Sequence, residues 1–300
     1  MKKNIFFTIS LFILLTSNIY SQFDKPVIMA GIGIAQPMGD MSGTYYTYLT
    51  QPSGFQYIAV NPDLFTNNYG AKTGLSFFGN GKINFDKYGI TRGVLGIGFN
   101  TFNTFESSKN GNIGELFRNP NTGNIDTLPI GANFNYTFSV FNISIGAEIA
   151  PTSFTNKISP YFGARLTLNT FNAHISWTSN SVDTTHFSAS DFRVGAVFDA
   201  GIEVKFNKTF GMVLGANYNL GNLIGKNTDN SISSNHIWGK SNASINDANG
   251  QFWSTLYDPV LTGINSLYNS KDKKINWGTI YLGLNIYLNT GKSSKQLPKK

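Results

Sequence analysis

Cysteine is absent from the 300 residues, which excludes disulfide bonds, thiolate metal sites and a cysteine nucleophile. Charge is also scarce, because Asp, Glu, Lys and Arg make up 13% of the chain, about half of the roughly 25% found in soluble domains. This composition excludes a coiled coil and a charged disordered protein. The chain contains 25 Phe and 14 Tyr instead, and aromatic residues of this kind favour β-strands.

Long hydrophobic runs are also missing, with one exception at the amino terminus. The first 22 residues have a basic start, a short apolar core at 5–15 and a small residue, Ser21, at a suitable cleavage position. This is the pattern of a secretory signal peptide. The alternative, a membrane anchor, is disfavoured because the apolar core is short and no stop-transfer sequence follows it.

The rest of the chain has a hydrophobic period of two, which predicts β-strands. In the segment at 192–206, for example, every second residue from Phe192 to Phe206 is apolar. Eight segments have this pattern, at 27–34, 71–85, 92–102, 134–149, 160–173, 192–206, 210–220 and 277–288. In the segment at 134–149 the alternation slips at Val140 and Phe141, which predicts a β-bulge there.

The connections between these segments alternate between long and short. Ordinary domains rarely contain several loops longer than about 12–15 residues, whereas transmembrane barrels have long outer loops at one rim and short periplasmic turns at the other. We therefore predict an all-β fold, an eight-stranded antiparallel up-and-down transmembrane β-barrel. Ten strands are the alternative if an outer loop contributes a hairpin. The predicted segments are the signal peptide at 1–22, the barrel at 23–289 and a basic polar tail at 290–300.

The two faces of each predicted strand differ in composition. One face carries Ile, Leu, Val and Phe, and the other carries mainly Gly, Asn, Ser and Tyr with few charges. Glycine at inward positions suits a narrow barrel, so we predict that the apolar face points outward into lipid. Aromatic residues near the predicted strand ends suit the two membrane interfaces. The alternative is a secreted lipocalin-like binding barrel, in which the apolar face points inward.

The alternating segments, including VGAVFDAGIEVKF at 194–206 and GMVLGANYNL at 211–220, resemble the small outer-membrane β-barrel proteins of Bacteroidota-type bacteria. These proteins belong to the OmpA/OmpX-like barrel group. The resemblance covers nearly the whole chain after residue 22 and is one of pattern rather than of an invariant motif. It implies a location in the bacterial outer membrane and insertion by the barrel-insertion machinery, but it implies no specific activity.

Charged residues within the predicted strands all fall on the inward face. Because charges in a narrow lumen are tolerated only when they are paired, we predict a structural charge network that plugs the lumen. In this network Arg165 would bridge Glu148 and Glu203, or Asp199. A gated ion path is the alternative. The predicted members are Glu148, Arg165, Arg193, Asp199, Glu203 and Lys205.

No catalytic, cofactor or metal site is predicted. The histidines at 174, 186 and 236 are scattered, and although Ser188 and Asp183 lie near two of them in sequence, no nucleophile elbow is present. Three scattered histidines also lack the spacing of a metal site. The calculated isoelectric point of about 9.3 comes without a basic stripe, so nucleic acid is not an expected partner.

The connection at 221–276 is the best candidate for recognition because it is long and rich in aromatic residues. It is predicted to be either a surface-binding loop or a lid packed over the barrel mouth, and its aromatic residues are Trp238, Trp253, Tyr257 and Tyr268. The predicted function is a non-enzymatic structural or surface-binding role, with outer-membrane lipid and an extracellular or envelope protein as partners through the first and fourth loops. The alternative function is a narrow pore or a component of a secretion or transport machinery.

Overall fold

The computed structural model describes eleven stretches of the chain, and the predicted signal peptide and basic tail lie outside them. The described residues are 26–44, 46–50, 56–60, 63–86, 90–102, 108–118, 125–151, 157–179, 182–229, 240–254 and 266–288.

The main sheet has ten strands, of which eight close into a barrel. Neighbouring strands of the ring are antiparallel throughout, and closure comes from the pairing of the first strand with the last. The predicted fold class, an eight-stranded up-and-down transmembrane barrel, is therefore confirmed. The barrel strands are β1 (Val27–Met38), β4 (Gly74–Asn84), β5 (Thr91–Phe102), β7 (Ile125–Ile149), β8 (Ile158–Ser179), β9 (Val182–Lys205), β10 (Phe210–Ile224) and β14 (Asn276–Tyr287).

The two ends of the barrel differ in their connections. One end, here the turn end, holds the start of β1, the end of β14 and the short connections at 85–90, 150–157 and 206–209. The opposite end, the loop end, holds the other four connections. These contain a 3₁₀ helix (Gly39–Met41), β2 (Tyr46–Thr50), β3 (Gln56–Val60), β6 (Ser108–Arg118), β11 (Lys240–Ala243), β12 (Gly250–Ser254) and β13 (Ser266–Ser270).

The third connection differs from the prediction. Residues 174–191 were expected to form a loop, but β8 and β9 continue through them and leave only residues 180–181 between the strands. Polar side chains such as His174 and Ser188 occupy the outward positions there while Ile175 and Ala189 are buried. The alternation therefore persists with a polar outer face, and the apolar pattern alone underestimates the strand length.

The outward face of the barrel is apolar, as predicted. Ile280 is 69% exposed and Leu166 is 63% exposed, and they belong to an apolar surface far more extensive than soluble proteins carry. The inward face is mainly polar toward the turn end. Other large apolar side chains on the exposed face include Ile28, Ile32, Leu75, Leu95, Ile97, Phe99, Ile143, Ile145, Phe198, Leu214, Leu282 and Leu284. Among the described residues, no helix has the length and apolar character needed to cross a membrane.

The predicted β-bulge at Val140 and Phe141 is wrong. The pairing of β7 with β5 and with β8 runs through both residues without a shift. Tyr136, Phe138 and Val140 are fully buried inside the barrel, whereas Phe141 and the odd-numbered residues after it face outward. Along this regular strand the apolar residues face the lumen near the loop end, where the lumen is itself apolar, and face outward from Phe141 onward.

Candidate functional site: the sealed lumen

Four charged residues cross the lumen near the turn end, and we call them the ion layer: Lys82, Arg92, Glu148 and Glu203. Each carboxylate lies within ion-pair distance of both cations. The distances are 3.1 Å for Lys82–Glu148, 2.8 Å for Lys82–Glu203, 2.6 Å for Arg92–Glu148 and 2.9 Å for Arg92–Glu203. The four side chains are between 1% and 4% exposed. Two positive and two negative charges thus compensate each other where water has little access.

A second polar group lies above the ion layer, towards the middle of the barrel. Arg165 Nη2 lies 2.7 Å from Asp199 Oδ2, and Arg165 Nη1 donates to Asn80 Oδ1 at 2.9 Å. The Tyr281 hydroxyl donates to the other oxygen of Asp199 and also contacts the Tyr161 hydroxyl. A polar cavity of about 30 Å³ lies beside Arg165, which is room for only a few water molecules.

Glycine makes room for these large inward side chains. A Cβ added to Gly96 would lie 2.6 Å from Ser144 Oγ and 2.9 Å from Arg165 Nη1. A Cβ on Gly215 would lie 2.5 Å from the Tyr281 ring. The inward glycines therefore allow the long polar side chains to reach across the lumen, which fits the narrow interior expected of an eight-stranded barrel.

The loop end of the lumen is closed by what we call the aromatic layer, a set of fully buried rings that pack mostly edge to face. Phe102 and Trp277 have ring centroids 6.1 Å apart, and Phe171 and Trp277 have centroids 6.5 Å apart. Strands supply most of the rings, and the first and fourth connections supply the others. The layer consists of Phe65, Tyr69, Phe102, Tyr136, Phe138, Phe171, Phe252 and Trp277.

The positions of these rings correct the prediction that aromatic residues near the strand ends lie at the membrane interfaces. Several aromatic residues near strand ends were expected to lie at the membrane interfaces. The structure buries six of them in the lumen, because they occupy inward positions of their strands or, for Tyr69, of the first connection: Tyr69, Phe102, Tyr161, Phe171, Trp277 and Tyr287. Phe85, Phe206 and Phe210 are exposed at the turn end, where an interfacial position stays consistent with the prediction.

The fourth connection is fixed to the barrel by a rim network around Arg193 and Asp247. The Arg193 guanidinium contacts Asp247 through Nε at 2.9 Å and Nη2 at 2.7 Å, and it reaches Asp191 at 3.0 Å. Asn222 Nδ2 donates to Asp247 at 2.7 Å, and the backbone N–H of Asn227 donates to it at 3.1 Å. This network holds residues 225–229 and 244–247 against β9 and β10.

Lys273 is a second anchor of the same connection, and it is fully buried. Its Nζ donates to the carbonyl oxygens of Asn246, Phe65 and Thr66 and to Ser270 Oγ, so it joins the first connection to the fourth. Burial lowers the pKa of Lys273 to about 8, although Asp247 and Asp40 act in the opposite direction. Burial also raises the pKa of Tyr69, whose hydroxyl donates to the Ile245 carbonyl at 2.9 Å.

The predicted charge residues all line the lumen or its rim, but their partners differ in part from those expected. Arg165 pairs with Asp199, one of the partners considered. It does not bridge Glu148 and Glu203, because Lys82 and Arg92 occupy that position. Arg193 belongs to the rim network. Lys205 Nζ lies 5.0 Å from the centroid of the Tyr287 ring at the turn end.

Sequence reasoning missed Lys82 and Arg92, although a signal for both was available. The inward residues of β4 and β5 have even numbers, such as Asn80 and Gly96, and Lys82 and Arg92 also have even numbers. Arg92 is also directly opposite Glu148 in the strand pairing. Extending the alternation to the strand ends would have placed both cations in the lumen.

The candidate loop residues divide between the lid and undescribed parts of the chain. Tyr268 is half-buried and packs on the Phe252 ring, with centroids 6.0 Å apart, so it belongs to the lid rather than to an open binding surface. Trp253 lies on β12, and its side chain is outside the description. Trp238 and Tyr257 lie outside the described residues.

The histidines do not assemble into a site in the described part of the chain. His174 Nδ1 lies 2.9 Å from Ser188 Oγ across the β8–β9 pair, but no group of three potential metal ligands occurs within the stretches that the structure describes. The side chains of His186 and Asp183 are outside the description, and His236 lies outside the described residues.

No family model matches the sequence, and no curated protein matches it. Among solved structures the chain is similar to Neisserial surface protein A, with 11% identity, a TM-score of 0.38 and coverage of 87% of this chain and 96% of that one. It is similar to OprG from Pseudomonas aeruginosa, with 10% identity, a TM-score of 0.37 and coverage of 89% and 97%. It is also similar to the outer membrane protease OmpT from Escherichia coli, with 9% identity, a TM-score of 0.38 and coverage of 88% and 96%. Values this low carry no information about activity, and the fold rests on the strand pairing described above.

Proposed function

We propose that the chain is a non-enzymatic bacterial outer-membrane barrel with a sealed lumen, which serves as a scaffold for surface binding at its loop end. The observation that carries this proposal is the inversion of a soluble fold. Aliphatic side chains face outward, and charged and polar side chains occupy the interior from the turn end to the middle of the barrel. A secreted lipocalin-like barrel requires the opposite arrangement of the two faces.

The sealed lumen favours a scaffold over a pore. A path for ions would have to pass the ion layer, the Arg165–Asp199 pair and the aromatic layer, each made of buried side chains in contact. These three levels use different chemistry, so a single change of conformation or protonation would not open all of them. Selective channels, in contrast, have a continuous lining of polar groups along the pore.

The long strands support a role in surface binding. A tilted strand needs about 9–11 residues to cross the hydrocarbon layer, whereas β7, β8 and β9 have 25, 22 and 24 residues. On β8 the outward face changes from Leu168 to Thr170 and Asn172, and on β9 it changes from Phe192 to Ser190. Beyond these positions the sheet carries polar residues, as a surface in water would.

The proposal includes export through the signal peptide at 1–22, membership of the Bacteroidota-type group and insertion by the barrel-insertion machinery. It also includes an extracellular or envelope protein as the partner of the connections at the loop end. Amino-terminal sequencing of protein recovered from membranes tests the export step, with a start at Gln22, directly after Ser21, as the expected result.

Planar-bilayer recording of the purified full chain tests the central claim. We expect insertion from detergent without a steady current, because no continuous water path is present in the described lumen. A reproducible steady conductance would support the alternative, a narrow pore or transport component. A folded monomer that stays in aqueous extracts without detergent would contradict both membrane functions.

A further inference from the structure

A groove interrupts the apolar outer surface of the barrel near the loop end. It has a volume of about 760 Å³ and crosses β9, β10 and β14. Its floor is formed by small residues, Ala200, Ala216 and Gly278, and large side chains such as Phe162 and Ile280 form its walls. Since the surrounding surface carries protruding Ile, Leu and Phe side chains, the groove is a local depression in a lipid-facing belt.

The depression follows from the strand register. Ala200 is paired with Ala216, and Gly278 is paired with Tyr218 on the neighbouring strand. The β14 partner of Ala216 is Ile280, so Gly278 lies diagonally from Ala216, two residues nearer the loop end, and the small residues form a diagonal depression across three adjacent strands. In lipid, contacts between apolar surfaces gain little from the hydrophobic effect, and close van der Waals packing decides which ones persist. An ordered hydrocarbon chain can fill this depression, whereas water cannot do so favourably.

The upper end of the groove meets a polar, cationic rim. Gln36 lies at this end and accepts a hydrogen bond from Thr73 Oγ1 at 2.6 Å. Asp40 lies at the same rim, where its Oδ1 is 3.5 Å from Lys271 Nζ and its Oδ2 accepts a hydrogen bond from the Lys274 backbone N–H at 3.0 Å. The exposed Lys274 side chain itself has no ion-pair partner among the described residues. Lys274 alternates with buried Lys273 and Ile275 and so shares the outward face of Gly278, about 13 Å away at the rise of an extended chain.

We propose that the groove binds one acyl chain of an anionic, phosphate-bearing membrane lipid, whose phosphate is held at the rim by Lys274. This inference rests on the proposed membrane location. The groove lies within the apolar belt, where the acyl chain of such a lipid would lie, and Lys274 lies beyond its upper end, where the headgroup would lie. The charge of Lys274 gives the site a preference for anionic over zwitterionic headgroups.

Native mass spectrometry of the detergent-purified full chain tests this site. The probe is an equimolar mixture of phosphatidylglycerol and phosphatidylcholine with identical chains. We expect one phosphatidylglycerol to be retained in preference. Lys274→Gln should lower the ratio of retained phosphatidylglycerol to phosphatidylcholine about fivefold, the loss expected for one lysine near an anionic surface. Lys208→Gln, at an exposed position of the turn end, should leave the ratio unchanged.

A second variant tests the groove itself. Ala216→Phe fills the floor and should abolish retention of both lipids, whereas Ala147→Phe, at an exposed outward position of β7, should retain them. The migration difference between heated and unheated samples on gels confirms folding of each variant. Equal lipid retention in Ala216→Phe and Ala147→Phe, or an unchanged ratio in Lys274→Gln, would overturn the proposal. Failure of the membrane location itself is distinguishable, because the chain would then fold without detergent.

Discussion

The lumen is closed at its two ends by opposite chemistry. At the turn end, four charged side chains from β4, β5, β7 and β9 neutralise one another in the ion layer. At the loop end, rings from the strands pack together with residues of the first and fourth connections. The ion layer therefore depends on the barrel alone, whereas the aromatic layer depends on the barrel and on docked loops. This difference indicates that the loop end can loosen while the ion layer stays intact.

The largest effect is expected from removing one cation of the ion layer. Arg92→Met leaves Glu148 and Glu203 with Lys82 as their only cation in a buried site. Breaking a buried ion pair in this way costs about 3–5 kcal/mol. Urea unfolding in lipid vesicles, followed by tryptophan fluorescence, should show this loss in the free energy of unfolding.

A charge-balanced variant distinguishes charge from packing in the same layer. Arg92→Met combined with Glu203→Met removes one charge of each sign, so Lys82 and Glu148 stay paired at 3.1 Å. We expect the double variant to be more stable than Arg92→Met alone. A double variant that is less stable by the sum of both single losses would mean that the four charges do not act as one compensated group.

The second prediction concerns the rim network at the other end. Asp247→Ala removes the main partner of Arg193 but leaves Asp191 at 3.0 Å, so we expect a loss of about 2 kcal/mol. Hydrogen exchange should become faster at 225–229 and 244–249 and stay unchanged in β4 and β5 near the ion layer. Asp272→Ala is the control, because its pair with Lys226 is exposed and such pairs contribute little.

The third prediction compares an inward-facing glycine with an outward-facing glycine of the barrel. Gly96→Ala places a methyl group against Ser144 and Arg165 and should cost about 1–3 kcal/mol through overpacking. Gly81→Ala, one strand away and facing outward, meets only the Leu95 carbonyl at 4.0 Å and should be neutral or slightly stabilising. Thermal unfolding of both variants measures the difference. Equal losses would contradict a tightly filled lumen.

The sequence predicted the barrel wall better than its closure. Period-two alternation is a local property, so it identified eight strands and the outward face, and it placed Arg165 and Asp199 on one inward surface. The alternation wrongly predicted a bulge in β7, because apolar residues that switch from the inward to the outward face of a regular strand give the same local pattern as a bulge. It also ended β8 too early and began β9 too late, because His174 and Ser190 are polar outward residues on strands that continue beyond the apolar belt.

The loop end could not be predicted in the same way. The connection that contains Ile245, Asp247 and Lys273 has no hydrophobic periodicity. The partners of these residues are far away in sequence: Asp247 contacts Arg193, and Lys273 contacts Phe65. A buried lysine surrounded by carbonyl oxygens has no local signature, because its acceptors belong to the backbone. Long-range contacts of this kind are visible only once the barrel has brought the connections together.

The last expected effect is a pH dependence confined to the loop end. The pKa of Lys273 is about 8 in the folded chain, against 10.5 for an unperturbed lysine, so the unfolded connection binds more protons between these values. Stability of the docked connection should therefore rise with pH across this window, by at most about 1.4 kcal/mol per pH unit. Hydrogen exchange at 271–275, corrected for intrinsic exchange, measures this rise. Lys273→Met should lack it, and a rise of equal size in that variant would assign the effect to another group.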